Sequence, residues 1–288
     1  MTRKTIAVLH PGEMGAALGA GLAARGHRVL WASAGRGAAT RKRAGAGGLK
    51  DVETLARAAQ AADIVFSVCP PHAAPELARA VAACGFGGVY VDANAVSPET
   101  TRALARVVEA AGASYVDAGI IGPLPIAGAS VRLYLCGSHA GEIASLFEGC
   151  IMQAIALAGP VGAASALKVC YAAWNKGATA LLAAIRALAE QEGVEAALLA
   201  EWYTSLPDIP KRSEAVSASA RKAWRWIAEM EEIAASFEAA GLPAGFHLAA
   251  ADIYRRLEGF KDAAKPPALA EVTAALSPRT GVKSGAAQ

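Results

Sequence analysis

The sequence predicts two domains of different classes: a doubly wound α/β domain with a mostly parallel sheet, and an all-α domain that follows it. The first half alternates short, nearly continuous apolar runs with helical patterns, which is typical of a parallel sheet covered by helices on both faces. After Gly162 no strand pattern returns, and alanine-rich segments that favour helices follow. At 288 residues the chain is long enough for each domain to bury its own core.

Each strand of the α/β domain is predicted from a short apolar run that turn residues bound. The predicted strands are 5–9, 28–31, 63–68, 88–92, 114–117, 131–136 and 153–157. The helices expected between the earlier strands are 14–24, 52–61, 75–83 and 98–111.

The second domain is predicted to begin with a long interdomain helix over 164–192, because this stretch lacks proline and has one internal glycine. Further helices are expected at 194–205, at 213–240 in one or two pieces, at 245–257 and at 268–276. Pro207 and Gly241 are among the turn residues that separate them. The predicted domains are therefore 1–163 and 164–276, and residues 277–288 are expected to form a disordered tail.

Composition and charge exclude several classes of protein. The formal net charge is +3, so neither nucleic acid nor a membrane surface is an expected partner. The five cysteines show no C-x-x-C spacing, which favours free thiols in a reducing compartment. No signal peptide, membrane span or metal-ligand spacing is recognised. The resulting expectation is a cytoplasmic protein that acts on a small molecule.

The segment His10-Pro11-Gly12-Glu13-Met14-Gly15 has the spacing of a dinucleotide-binding fingerprint, G-x-G-x-x-G. The three glycines of that fingerprint allow a tight turn, a close approach to the pyrophosphate and close packing of helix on strand. In this chain His10 replaces the first glycine. Because the segment follows a strand and opens a helix, whose N-terminal amides can hold a phosphate, we predict a Rossmann-type cofactor site here. The predicted cofactor contacts are Gly12, Glu13, Met14 and Gly15.

The choice between NAD and NADP is read at the end of the second strand. NAD sites usually place an acidic residue there, but here Ser33 and Arg36 follow, with no acid before Asp51. A serine and an arginine suit the 2′-phosphate of NADP, so NADP is predicted over NAD. The alternative is that Arg36 points into solvent. The basic cluster 41–43 is either a solvated loop or a further part of this site.

Four later motifs follow in an order that resembles the β-hydroxyacid dehydrogenase and 6-phosphogluconate dehydrogenase superfamily, whose members open with a strand, G-x-G-x-M-G and a helix. These motifs are Val68-Cys69-Pro70-Pro71, Val91-Asp92-Ala93-Asn94-Ala95-Val96-Ser97-Pro98, Asp117-Ala118-Gly119-Ile120-Ile121-Gly122 and Gly162-Ala163-Ala164-Ser165-Ala166-Leu167-Lys168. The similarity covers residues 5–180, and Gly259-Phe260-Lys261-Asp262 is similar to a late segment of the family.

The resemblance implies a nicotinamide-dependent oxidoreductase and assigns roles to several residues. It implies that Cys69, Pro70 and Asn94 contact the cofactor. It also implies that Asn94, Ile121 and Gly122 bind the substrate, and that Lys168 is the catalytic lysine. A homodimer formed through the helical domain is expected on the same ground.

The chain also departs from the family's pattern. Asn94 and Ile121 stand where the family has serines that bind the substrate. Ala172 replaces the asparagine expected four residues after the lysine, and an asparagine occurs instead at Asn175. The chain therefore resembles a divergent branch whose substrate is not copied from the better-known members.

Lys168, Tyr171 and Asn175 follow one another at spacings of three and four, so they share one face of the predicted interdomain helix. An amine on an otherwise apolar face suits general acid/base chemistry. On this hypothesis Lys168 exchanges a proton with the substrate oxygen, Asn175 orients the substrate or the amine, and Tyr171 donates to the same oxygen. The alternatives are a lysine that extends to solvent and a tyrosine that only packs.

Together these observations predict an NADP-dependent oxidoreductase that transfers a hydride between nicotinamide and a small hydroxy or oxo acid. Two alternatives stay open. One is an imine reductase on the same fold, which the retained Lys168 disfavours. The other is a non-catalytic NADP-binding sensor or scaffold, which the replacement of a glycine by His10 leaves open. His10 and His72 lie near the expected cleft, and lone histidines are more often structural.

Overall fold

A computed structural model describes residues 2–261 and 263–277 of the chain. Asp262 and the predicted tail beyond Ser277 lie outside the described residues. The chain divides into two compact units, one that ends at Tyr171 and one that begins at Ala172. This division falls inside the interdomain helix, whereas the sequence pattern changes at its start.

The first unit is built on an eight-stranded sheet with the strand order β3-β2-β1-β4-β5-β6-β7-β8. Its strands are β1 (Thr5–Val8), β2 (Arg28–Trp31), β3 (Lys50–Asp51), β4 (Ile64–Ser67), β5 (Val89–Asp92), β6 (Ser114–Ile121), β7 (Val131–Cys136) and β8 (Met152–Ala156). Neighbouring strands are parallel except β6 and β7, which are antiparallel. The predicted doubly wound, mostly parallel sheet is confirmed.

Helices cover both faces of this sheet. They are α1 (Glu13–Ala24), α2 (Ala38–Ala46), α3 (Leu55–Ala61), α4 (Ala74–Ala83), α5 (Pro98–Ala110) and α6 (Ala140–Ser145). Along β1, Ile6 and Val8 belong to one buried cluster and Ala7 and Leu9 to another. Successive side chains of a strand point to opposite faces of the sheet. The unbroken apolar run of β1 therefore packs into the hydrophobic core on each face.

One strand and two α-helices of the first unit were not predicted. Strand β3 has two residues and is too short to give a pattern, and α6 has six. Helix α2 contains the basic cluster 41–43, so the interpretation of that cluster as a loop is wrong. Its single buried residue is Ala44, and a helix without an apolar stripe gives no periodic signal.

The second unit is helical throughout its described residues. Helix α7 (Ala163–Gln191) crosses from the first unit into the second, and α8 (Glu195–Ser205), α9 (Ile209–Glu214), α10 (Val216–Ala220), α11 (Ile227–Ala239), α12 (Gly245–Arg256) and α13 (Leu269–Leu276) follow. The prediction of one or two helices over 213–240 is wrong, because three α-helices and a short 3₁₀ turn occupy that region. Neither proline nor glycine lies at those breaks, so tertiary packing rather than local sequence places them.

A buried ion pair organises part of the second unit. The Lys176 amine pairs with the Glu229 carboxylate and lies 5.4 Å from the centre of the Trp226 ring. The Tyr254 hydroxyl donates to the Lys176 carbonyl oxygen at 2.5 Å, which ties α12 to α7. Among the residues that the structure describes, no helix is both long enough and apolar enough to cross a membrane.

Candidate active site

The candidate site lies at the carboxyl ends of adjacent parallel strands in the first unit. Strands β1, β4, β5 and β6 are neighbours in that order, so the segments that follow β1, β4 and β5 line up along one edge of the sheet with the end of β6. Open α/β sheets bind their ligands at this edge. The fingerprint, the Cys69-Pro70 loop, Asn94 and the end of β6 therefore share one region of the molecule.

The fingerprint segment forms a tight turn between β1 and α1. The amide of Gly12 donates to the His10 carbonyl oxygen at 2.8 Å, and Gly12 is the residue before the first turn of α1. A Cβ atom on Gly15 would lie 2.4 Å from the His10 carbonyl oxygen, so only glycine fits there. A Cβ on Gly12 would meet no atom within 4 Å, which leaves open space at the amino end of α1. This geometry fits a pyrophosphate held by the helix amides.

The two side chains between these glycines differ in exposure. Met14 is half-buried and packs against the apolar core on the α1 side of the sheet. Glu13 is exposed in the first turn of α1. Their predicted cofactor contacts stay predictions.

The loop after β2 carries the residues predicted to select the cofactor. Ser33 is buried, and its hydrogen bonding helps to hold the pKa of Asp51 below its usual value although burial of that carboxyl opposes the shift. Arg41 donates to the carbonyl oxygens of Ser33 at 3.0 Å and Arg36 at 3.3 Å, so it braces the loop. Arg43 donates to the carbonyl oxygen of Pro11 at 3.4 Å.

Arg36 lies in the loop between β2 and α2. Its charge contributes to lowering the pKa of His10, after β1, and it partly offsets the raised pKa of Cys69, after β4. Its Nε atom is buried and has no hydrogen-bond partner among residues 2–261 and 263–277.

Asn94 ties the ends of two neighbouring strands together. Its side-chain oxygen accepts from the Cys69 amide at 2.6 Å, and its side-chain nitrogen donates to the Ser67 hydroxyl at 2.9 Å. The side chain is 4% exposed and therefore shapes the loop that leads to Pro70. Burial, followed by the charge of Asp92, raises the pKa of the Cys69 thiol to about 12, so this cysteine is not a thiolate nucleophile.

Asp117, near the middle of β6, fixes the start of α7. One of its carboxylate oxygens accepts from the backbone amides of Gly162, Ala164 and Ser165 at 2.9, 3.0 and 3.1 Å. The other accepts from the Ser165 hydroxyl at 2.6 Å. A carboxylate at the amino end of a helix satisfies free amides and complements the helix dipole. Asp117 thereby sets where the helix that carries Lys168 begins.

Lys168 reaches the end of β6 from the second turn of α7. Its amine donates to the Ile120 carbonyl oxygen at 2.8 Å, and its side chain is half-buried. The helix can approach this closely because Gly119 has no side chain. A Cβ there would lie 2.8 Å from the Ala164 carbonyl oxygen and 3.1 Å from the Lys168 Cβ. The amine therefore stands on the edge of the sheet that holds the fingerprint.

Comparison with known families decides the identity of the first unit. A family model described as the NAD binding domain of 6-phosphogluconate dehydrogenase matches residues 5–157, which is more than half of the 288 residues. The chain belongs to this family. A second model, a domain of unknown function (DUF1932), matches residues 189–257. No curated protein matches the chain.

Solved structures share the fold over nearly the whole chain. The conserved protein MTH1747, of unknown function and described as structurally similar to 3-hydroxyacid dehydrogenases, is 26% identical, with 89% of this chain and 97% of that chain covered and a TM-score of 0.69. The 3-hydroxyisobutyrate dehydrogenase of Mycobacterium tuberculosis, solved with L-serine, is 22% identical, with 96% and 100% covered and a TM-score of 0.71. The reductive aminase of Aspergillus terreus, solved with NADPH and ethyl levulinate, is 18% identical, with 94% and 98% covered and a TM-score of 0.57. Imine reductases share the fold as well.

These findings confirm the resemblance drawn from the sequence motifs. The chain is a pyridine-nucleotide-binding dehydrogenase or reductase with a 6-phosphogluconate dehydrogenase-type cofactor domain.

The four other residues that were predicted to be catalytic or to bind the substrate differ in solvent exposure. Tyr171 is 42% exposed at the end of the first unit, and Asn175 is exposed in the second. The side chain of Ile121 is 3% exposed, so its backbone is the part that a substrate can meet. Gly122 has a φ of +123°, and a Cβ there would lie 2.5 Å from the Ser130 carbonyl oxygen, so the backbone itself requires glycine. The catalytic and substrate roles of these four residues stay predictions.

Sequence reasoning missed a row of buried polar side chains behind the site. Ser67, Asp92, Asp117 and Cys136 are register partners across β4 to β7. Burial, together with the neighbouring charge of Asp117, raises the pKa of Asp92 to about 7. The signal was present as an aspartate at the end of each of the predicted strands 88–92 and 114–117, but neither residue was predicted to have a role in the site.

Proposed function

We propose that this protein is an NADP-dependent oxidoreductase that transfers a hydride between nicotinamide and a small hydroxy or oxo acid, with Lys168 as the general acid/base. The observation that carries the proposal is the Lys168 amine, 2.8 Å from the Ile120 carbonyl oxygen at the carboxyl edge of the sheet. That edge also carries the fingerprint turn, where Gly15 tolerates no side chain.

The residues along this edge fit a nicotinamide dinucleotide. The open space at Gly12 and the amides of α1 suit the pyrophosphate. The buried Nε of Arg36 suits a 2′-phosphate, and Ser33 lies beside it in the same loop. The Cys69-Pro70 loop, which Asn94 holds through the Cys69 amide, then borders the nicotinamide.

A bound nicotinamide supplies or accepts the hydride in this chemistry. In the direction of reduction, Lys168 donates a proton to the carbonyl oxygen as the carbon is reduced, and the amine regains its proton from solvent. In the direction of oxidation, Lys168 removes the hydroxyl proton. Tyr171 donates to the same oxygen, and Asn175 orients the substrate. The amine is suited to this role because the Ile120 carbonyl oxygen fixes its position at the carboxyl edge, and an ammonium group carries three N–H donors.

A small hydroxy or oxo acid is the proposed substrate class. The 3-hydroxyisobutyrate dehydrogenase that shares the fold was solved with L-serine, a small hydroxy acid. In our proposal the side-chain amide of Asn94 and the backbone of Ile121 and Gly122 bind the substrate. Asn94 and Ile121 stand at the two positions where the family resemblance places serines.

Reduction of a C=N bond is the second candidate. It is favoured by Asn94 and Ile121, which replace hydroxyl groups that would bind a carboxylate, and by the reductive aminase that shares the fold. The retained Lys168 favours the carbonyl reaction. A protein that binds NADP without catalysis is a third candidate, because His10 replaces the first glycine of the fingerprint.

Turnover of the Lys168→Ala variant tests the proposal. The purified protein is assayed with NADPH and panels of 2-oxo acids, 3-oxo acids and cyclic imines. We expect activity with at least one carbonyl panel, and a loss of turnover of ~10²-fold or more in Lys168→Ala, the usual scale of a general acid/base. Lys265→Ala, which changes an exposed lysine of the second unit, should retain full turnover. Equal turnover in Lys168→Ala and the unmodified protein would remove this residue from the mechanism.

We also propose that two copies associate through the second unit. An apolar groove of about 600 Å³ lies between α7, α8 and α12, and its lining includes Trp174, Leu181 and Phe246. These side chains are 67%, 60% and 81% exposed. Contiguous exposed apolar surface of this kind marks a protein interface, and a second copy is the proposed occupant. Sedimentation should give a dimer for the unmodified protein and a monomer for Phe246→Glu; a monomer in both would contradict the proposal.

A further inference from the structure

Two buried nitrogen atoms at the carboxyl edge have no hydrogen-bond partner in the described part of the chain. They are Nδ1 of His10, in the turn after β1, and Nε of Arg36, in the loop after β2. A buried polar atom that lacks a partner costs free energy, so such atoms are rare unless something else supplies the partner. Strands β1 and β2 are parallel neighbours, so the segments that follow them and carry these two atoms are adjacent along the carboxyl edge.

The two side chains sit close enough to influence each other. Burial, followed by the positive charge of Arg36, lowers the pKa of His10 to about 4. The imidazole is therefore uncharged near neutral pH and carries one N–H donor. It can stand beside the guanidinium without charge repulsion. In the tautomer that carries its proton on Nδ1, the imidazole and the guanidinium together offer two donors to one acceptor group.

The other arginines nearby are engaged with the backbone. Arg41 donates to the Ser33 and Arg36 carbonyl oxygens, and Arg43 donates to the Pro11 carbonyl oxygen and the Thr40 hydroxyl. They hold the loop after β2 in place against the fingerprint turn. By contrast, Nε of Arg36 and Nδ1 of His10 are buried and have no hydrogen-bond partner among the described residues.

We propose that His10 is a specificity residue that binds the 2′-phosphate of NADP together with Arg36. This inference rests on the proposed preference for NADP. The turn that the first fingerprint glycine normally makes is still formed, since the Gly12 amide donates to the His10 carbonyl oxygen. Histidine at this position therefore keeps the turn and adds an imidazole side chain to it. The loop after β2 is where dinucleotide sites read the ribose 2′ group, and the pyrophosphate belongs at Gly12 and the amino end of α1.

Calorimetric binding of two probes that lack nicotinamide tests this assignment without any assay of activity. The probes are adenosine 2′,5′-bisphosphate, which carries the 2′-phosphate, and adenosine 5′-monophosphate, which does not. For His10→Gly, which restores the consensus glycine, we expect about a 10-fold or greater loss of affinity for the bisphosphate, the scale of one hydrogen bond to a charged group. Affinity for the monophosphate should stay within about threefold. His139→Ala, at a half-buried histidine just before α6, is the control and should change neither affinity.

A second pair of variants guards against misfolding and checks the partnership. His10→Asn keeps a donor near the position of Nδ1 and should retain most of the affinity for the bisphosphate, whereas His10→Leu keeps the volume and should lose it. In the double variant His10→Gly with Arg36→Ala, the two losses should be less than additive because both residues bind one phosphate.

The outcomes separate this inference from the proposed function. If the unmodified protein binds both probes equally, the preference for NADP fails, and this inference fails with it. If it prefers the bisphosphate and His10→Gly and His10→Leu keep that preference, only the role of His10 is overturned. An equal loss for both probes would assign His10 to the shared part of the ligand and would also overturn the inference.

Discussion

Asp92 in β5 and Asp117 in β6 are the same residue type at paired positions of neighbouring strands, yet their surroundings differ. Both are buried, at 1% and 0% exposed. The Asp117 carboxylate accepts from three backbone amides, one just before α7 and two in its first turn. It also accepts from the hydroxyls of Thr101 and Ser165 and from the Cys136 thiol. One oxygen of Asp92 accepts from the Asn94 amide, and the other is buried without a hydrogen-bond partner in the described chain.

The comparison shows that the donors around a buried carboxyl group decide its use. Donors from a helix terminus compensate the lost hydration of Asp117, and that carboxylate positions the helix that carries Lys168. Asp92 has too few donors, so burial favours its protonated form. Asp117 therefore anchors the proposed catalytic helix α7, whereas Asp92, with a pKa of about 7, is partly protonated near neutral pH.

The largest effect is expected for Asp117→Asn. An amide group in place of the carboxylate turns a donor toward several backbone amides and removes the charge at the amino end of α7. We expect a loss of about 3 kcal/mol or more in the free energy of unfolding, the scale for breaking a buried network. Urea unfolding measures it. Asp63→Asn, which changes an exposed carboxylate that accepts from the Thr5 amide, should cost less than about 1 kcal/mol. Similar losses in the two variants would contradict the special role of Asp117.

Asp92→Asn should change how the free energy of unfolding depends on pH, and near neutral pH it should stabilise the protein, whereas Asp117→Asn destabilises it. The pKa of Asp92 is raised to about 7 in the folded protein, above the ordinary value of 3.8 that it has when unfolded. Between these values the folded state binds more protons, so this group lowers the free energy of unfolding as the pH rises from about 4 to about 7. Asparagine does not titrate, so it removes this loss of stability with rising pH, and its side-chain oxygen still accepts from the backbone amide of Asn94. The stability of the variant relative to the unmodified protein should therefore increase from pH 4 to pH 8, by an amount on the order of a few kcal/mol. Parallel stability profiles would show that Asp92 does not titrate in this range.

A smaller effect is expected at the strand end after β1, where backbone contacts rather than carboxylates shape the site. A Cβ on Gly15 would press against the His10 carbonyl oxygen at 2.4 Å, so Gly15→Ala should displace the turn. We expect about a 10-fold loss of NADPH affinity and a loss of about 1–2 kcal/mol in stability, the scale of local backbone strain. Gly45→Ala in α2, where a Cβ meets nothing within 4 Å, is the matched control and should leave both quantities equal or improved. Unchanged NADPH affinity in Gly15→Ala would separate this turn from the cofactor.

The sequence predicts the sheet well because its signals are local. Apolar runs, the glycine turn at Gly12 and Gly15, and the uninterrupted helix before residue 192 each depend on neighbours in the chain. Helix α2 was missed because its exposed, basic surface has no period, and the breaks around Val216 and Ala223 were missed because no breaker residue marks them.

The chemistry of the site depends more on contacts between distant residues. Asp117 meets the start of α7 across 45 residues of chain, and Asp92 meets Asp117 through strand register. Neither contact follows from spacing. Lys168 was predicted from motif order, and its partner, the Ile120 carbonyl oxygen, became visible only in the fold.

The central claim is that a nicotinamide dinucleotide lies along the carboxyl edge of the sheet, with its ring facing the Lys168 amine. A crystal structure with NADPH bound tests this directly. We expect the pyrophosphate at Gly12 and the amino end of α1, and the nicotinamide beside the Cys69-Pro70 loop within reach of Lys168. Density for NADPH elsewhere, or a Lys168 side chain turned away from the bound ring into solvent, would contradict the account.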